Sequence, residues 1–275
     1  MTVSLKIKIV SLTKIFWLLL RKNIYFSYMD HEKKEYIEGI YNYCDRWCEK
    51  CMRTSSCYLF NMESKIASYE ILNKGELPKA EDLFDADREN VSPEFDVEED
   101  EDFIEDKDEL YKSEGESDAE EIELETNPLV ELSKSYFMEA MALLKRIEKK
   151  YHFYSTPKEK INDPNLSKTR ESIEVFGWYH AFIGAKVNRA VNGKMNASKE
   201  ADEESRSFEE YDMNGSAKVA MISIERSINS LNVLYNLLPE YTENISNLLI
   251  KAGKLRNGVE NEFPGYKNFK RPGFD

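Results

Sequence analysis

The chain has 275 residues, of which 41% are hydrophobic and 33% charged, and it carries a formal net charge of −14. That length suits one sizeable folded domain with appendages, and the charge argues against a nucleic-acid partner. The charge is unevenly spread, however: Glu81 to Glu125 holds 23 acidic residues against three basic ones, so the remainder sums to +6 and the parts expected to fold are close to neutral.

Residues 1–28 contain no acidic residue and set Lys6, Lys8, Lys14, Arg21 and Lys22 around the apolar run Ile15 to Leu20. The run is too short to span a bilayer, and no small-residue cleavage site follows it. The expectation is that translation begins at Met29; a membrane-surface anchor formed by residues 1–28 is the alternative, and no other membrane association is expected.

The next stretch, Tyr43 to Cys57, reads YCDRWCEKCMRTSSC and contains all four cysteines of the chain: Cys44, Cys48, Cys51 and Cys57. Clustering of this kind, with none elsewhere, points to a shared metal rather than to scattered core thiols. Ile37, Ile40, Cys44, Cys48 and Cys51 recur at intervals of three and four, which predicts one helix carrying three thiols on a stripe. Arg53-Thr54-Ser55-Ser56 then predicts a turn that returns Cys57 to the set. On that helix Asp45, Arg46, Glu49 and Lys50 form a charged solvent face, and Arg46, Lys50 and Arg53 are placed to lower the thiol pKa values. Thiols one turn apart on a helix are poorly placed for a disulfide. The compact run favours a [4Fe–4S] cluster over Zn2+, since structural zinc more often takes two separated Cys-x2-Cys knuckles.

The triplet Cys44-x3-Cys48-x2-Cys51 also has the spacing of the radical S-adenosylmethionine enzymes. It departs from that pattern because Lys50 stands where an aromatic residue is usual, and no strand–helix alternation or glycine-rich stretch follows. The CDRWCEKC string together with the ending FPGYKNFKRPGFD resembles uncharacterised helical bacterial proteins, a resemblance that implies no activity.

Tyr58-Leu59-Phe60, Ile66, Tyr69, Ile71 and Leu72 predict a short helix covering the apolar side of the cysteines, ended by Lys74-Gly75-Glu76-Leu77-Pro78. The organisation expected from this point is a cysteine module over 29–80, an acidic disordered linker over 81–125 and a helical bundle over 126–275. The acidic tract is too poor in apolar residues to offset its ordering entropy.

The bundle begins at Asn127-Pro128, a capping residue before a proline suited to the first helical position. Leu129, Tyr136, Ala140, Leu143 and Ile147 give its first helix an apolar face. A second helix is predicted over Ser172 to Val191, with small residues Gly177, Ala181 and Ala185 one turn apart for close helix approach. Asn192-Gly193 is read as its end, and Asn196 to Asn214 as a loop. Ala217 to Leu238 and Tyr241 to Val259 supply two further helices, giving an antiparallel bundle and an all-α fold.

Within the bundle His180 is the one titratable residue on a predicted core stripe, read as a core histidine with satisfied hydrogen bonds; Glu174 and Glu225 are its partners in the catalytic alternative. Neither His180 nor His152 belongs to a Glu-x-x-His pair, so the di-iron signature is absent. The functional expectation is a non-enzymatic, cytoplasmic metal-binding protein, acting with a protein partner as a redox or sensor module. Its alternative is a scaffold with a purely structural zinc.

Overall fold

The computed structural model describes residues 35–72, 124 and 126–275. The expected leader over 1–28 and nearly all of the acidic tract over 81–125 lie outside the described residues. Ile37–Asp275 forms one compact unit. Among the described residues every regular element is helical and no strand occurs: α1 covers Tyr58–Leu72, α2 Pro128–Tyr151, α3 Pro164–Lys199, α4 Glu203–Leu237 and α5 Thr242–Glu262.

Three of the helix starts follow from capping chemistry. Asn127 Oδ1 accepts the amides of Leu129 at 2.9 Å and Val130 at 3.3 Å, with Pro128 in the first turn where its missing N–H costs nothing. Asp163 and Pro164 repeat the device at α3, and Asp202 accepts the Ser205 amide at 2.8 Å to start α4. His152 ends α2 in the left-handed region, at φ 55°.

Four helices share one core. Tyr136, Leu143 and Ile147 of α2 meet Ile173, Phe176 and Ile183 of α3, Ile224 and Leu231 of α4, and Ile245, Leu248 and Leu255 of α5, all almost wholly excluded from water. Helix α3 packs along α4, α4 against α5, and α2 against both α3 and α5. Burial of this many large side chains, at roughly 1.5–3 kcal/mol each, is what holds the helices together.

Three expectations change here. The predicted loop over Asn196 to Asn214 is instead the end of α3, residues 200–202, and the start of α4. The Asn-Gly pair at 192–193 is helical because a Cβ at Gly193 would lie 3.2 Å from Met213 Cβ, so the glycine lets α3 and α4 approach, and packing overrides the turn signal. The supposed small-residue stripe faces outward at Ala181 and Ala185, which are exposed.

Candidate metal centre

The cysteines do not lie on a helix. Residues 38–44 form turns and bends, and only single 3-10 turns occur at Cys48–Lys50 and Thr54–Ser56. The three-and-four spacing is broken by two residues in the left-handed region, Gly39 at φ 66° and Arg46 at φ 55°. Such a conformation is unfavourable for a side chain like that of arginine, and it persists where the surroundings over-determine it. The surroundings here are specific: Arg46 Nη2 donates to Glu63 Oε1 of α1 at 2.7 Å, while the Arg46 amide donates to Cys44 Sγ at 3.4 Å.

Although the helix is absent, the loop brings the four thiols to one place. Cys44, Cys48, Cys51 and Cys57 all line a single cavity of about 20 Å³, closed on its apolar sides by Ile40, Trp47, Phe60 and Phe274. Phe60 comes from α1. The space is a little more than a single water molecule requires. All four thiols are free and partly buried. Among the described residues, no three or more His, Cys, Asp or Glu side chains already converge closely enough to hold a metal ion. The sulfurs thus share a cavity without meeting at a point.

Two sulfurs carry backbone donors two residues on: Arg46 N–H to Cys44 Sγ, and Arg53 N–H to Cys51 Sγ at 3.3 Å. At Cys44 this bond favours the thiolate over the thiol. The protein's own balance is nevertheless toward the thiol. Burial pushes Cys44 above its ordinary value and pushes Cys48 up to about 11, with the neighbouring thiols adding to the rise. The expected lowering by basic neighbours is therefore outweighed at these two residues: Arg46 pulls both thiols down, but burial raises them more. Arg46 also pairs with Glu63, and Lys50 Nζ sits over the Trp47 ring at 3.8 Å.

Asp45, expected on a solvent face, instead ties the loop to the helical core. Its carboxylate accepts Tyr179 Oη at 2.5 Å and Arg226 Nη1 at 2.8 Å, and its carbonyl accepts Trp178 Nε1 at 2.8 Å. Arg226 also contacts Tyr179 Oη. Burial and the Asp45 acceptor together raise the Tyr179 phenol well above its ordinary pKa, so it remains a donor. Trp47 stacks on Trp178 at 5.2 Å, Tyr43 Oη donates to Asp212 at 3.0 Å, and Lys186 Nζ donates to the Asn42 carbonyl at 3.0 Å. Tyr43 lies so close to α4 that a Cβ on Gly215 would fall 2.3 Å from its ring.

These anchoring residues, Asp45, Tyr179, Lys186 and Arg226, escaped the sequence reading. The placing of Phe274 against the cysteines did too, since no local pattern joins residues so far apart in sequence. His180 lies apart from the cysteine cavity, buried with its ring parallel to Phe137 at 5.3 Å. Its Nδ1 pairs with the Gly177 carbonyl at 2.8 Å, but its Nε2 has no partner, so its hydrogen bonding is only half satisfied. Glu174 is held by Lys158 and Arg170 instead.

No protein-family model matches the chain, and neither a curated protein nor a solved structure does. Among the described residues no helix is long and apolar enough to cross a membrane.

Proposed function

We propose that Cys44, Cys48, Cys51 and Cys57 together hold one Zn2+ ion, and that this ion fastens the loop to the helical core in a non-catalytic protein that works through a protein partner. The observation that carries the reading is the lining of one small cavity by all four thiols. Rotation about χ1 swings a cysteine sulfur without moving the backbone, so a shared cavity is the requirement on the fold and convergence is the work of the ion. A volume of about 20 Å³ suits a single ion better than a cluster of four irons and four sulfides, which moves the preference from the cluster to zinc. Four sulfur donors with apolar walls make a closed set, the arrangement of structural rather than catalytic zinc.

Charge supports the same reading. A zinc ion with four thiolates carries two net negative charges, and the buried Lys186 ammonium, which donates to the neutral Asn42 carbonyl and lies over the Phe182 ring, is near Cys44. An ion would also supply the deprotonation that burial opposes at Cys44 and Cys48.

The test is elemental analysis and visible absorption of protein purified without oxygen, on the wild type and on four Cys→Ser variants. About one zinc per chain in the wild type, no visible band, and loss of zinc in every variant is the expected result. Iron with sulfide would replace zinc by the cluster, and a metal-free wild type whose variants melt like it would end the metal reading altogether.

A further inference from the structure

The segment Phe269–Asp275 returns from the end of α5 to the cysteine cavity, and its side chains are seated too specifically for a passive tail. Phe269 is 7% exposed and packs edge-on to Tyr43 at 4.8 Å, anchoring the segment at the base of the loop. Gly273 adopts φ 74°, where a Cβ would also lie 2.9 Å from Ile40 Cδ1. Glycine there permits the turn and the close approach at once. Arg271 and Asp275 clamp the turn with side-chain bonds at 2.9 and 3.1 Å, and that pairing holds the Asp275 carboxyl down to about 2. Between them the turn delivers Phe274 onto the cavity that the four cysteines line.

We propose that Phe274 is a positioning and shielding residue of the cysteine site, and that Phe269–Asp275 is a strap whose seating controls access of water, chelators and oxidants to the four thiols. The apolar shell of a metal site governs solvent access and hence exchange. On three sides that shell comes from the loop and α1; among the lining residues Phe274 alone comes from beyond α5, held by the Gly273 turn, the Arg271–Asp275 ion pair and the Arg271 guanidinium 5.1 Å over its ring. This role rests on the cysteine cavity being the functional site, but it concerns the thiols whether or not a metal binds.

The experiment therefore reads the thiols directly. Chelator-treated full-length wild type, Phe274→Ala, Phe274→Leu and Arg271→Gln proteins are reacted with an anionic aromatic disulfide, and helical content and the thermal transition are followed on the same samples. Phe274→Ala is expected to speed thiol modification about tenfold or more while the helical transition stays in place, Phe274→Leu to restore most of the protection, and Arg271→Gln to fall between. In zinc-loaded protein the same order is expected for the rate of zinc loss to a chelator. Equal modification rates in all four proteins would overturn the strap. Should Phe274→Ala lose its helical transition, Arg271→Gln, which keeps Phe274 but removes the ion pair and the guanidinium lying 5.1 Å over its ring, decides alone by the same criterion. A wild type that binds no zinc but shows the tenfold difference would retire the zinc reading and leave the strap standing.

Discussion

The helical core and the cysteine loop are stabilised by different physics. The core from α2 to α5 buries whole rows of aliphatic and aromatic side chains, and each helix satisfies its own backbone. The loop over residues 37–57 has almost no regular backbone pairing, and among its residues only Ile40 and Tyr43 are fully buried. It is held by single ties: Asp45 to Tyr179 and Arg226, Trp47 on Trp178, Tyr43 against Phe269, Lys186 to Asn42. A region built this way is the low-stability end of a structure, and a metal crosslink yields most where the backbone supplies least. The loop should therefore open without the core, while the core cannot open without the loop.

The largest effect expected comes from the core. Leu143→Ala removes a side chain with no exposure at all and should cost about 2–5 kcal/mol in chemical denaturation followed by circular dichroism. Trp47, stacked against α3, should report loss of the loop at the same denaturant concentration in this variant. If loop signals survived beyond the helical transition, the dependence of loop on core would be wrong.

Asp45→Ala probes the opposite direction. It removes the acceptor shared by Tyr179 and Arg226, and since Arg226 is half exposed most of the effect falls on the Tyr179 bond. The expected cost is about 1–3 kcal/mol, confined to the loop: Trp47 emission and thiol protection should be lost at lower denaturant, with the helical transition moved far less. A helical transition displaced as far as in Leu143→Ala would mean that the two regions unfold as one unit.

The same contrast explains what the sequence made legible. In α5 the rows Ile245, Leu248, Ala252, Leu255 and Val259 repeat at steps of three and four, and all five are buried, because a helix face is a local property. Asn127-Pro128 marks its helix start for the same reason. The loop obeys no local rule. Cys44, Cys48 and Cys51 have helical spacing, yet Arg46 takes a left-handed conformation for which arginine gives no compositional hint. The Asp45–Arg226 tie joins residues 181 positions apart, and pairings of that range leave no periodic trace. All four cysteines nevertheless line one cavity, which they reach by a route other than a helix.

The smallest effect is expected at His180, where the core carries a polar group it does not fully satisfy. Burial lowers the His180 pKa, against a smaller raising influence from the Gly177 and Phe176 carbonyls. The sign follows directly: above its ordinary value of about 6.5 the imidazole is neutral in both folded and unfolded chains and has no effect on stability. As pH falls through that value the unfolded chain takes up a proton that the native state resists, so stability declines, levelling only below the depressed native pKa. Phenylalanine has a similar shape, would keep the stack on Phe137 and would remove the unpartnered Nε2. The Gly177 carbonyl would retain its helical partner four residues on, so no new orphan is made. His180→Phe should therefore lie within about 1 kcal/mol of the wild type at pH 8 and gain on it steadily as the pH is lowered to 5, because the carboxylates that titrate lower down act on both proteins alike. Denaturation midpoints measured across that range decide the matter. Parallel curves for the two proteins would show that His180 takes up its proton as readily in the native core as in the unfolded chain.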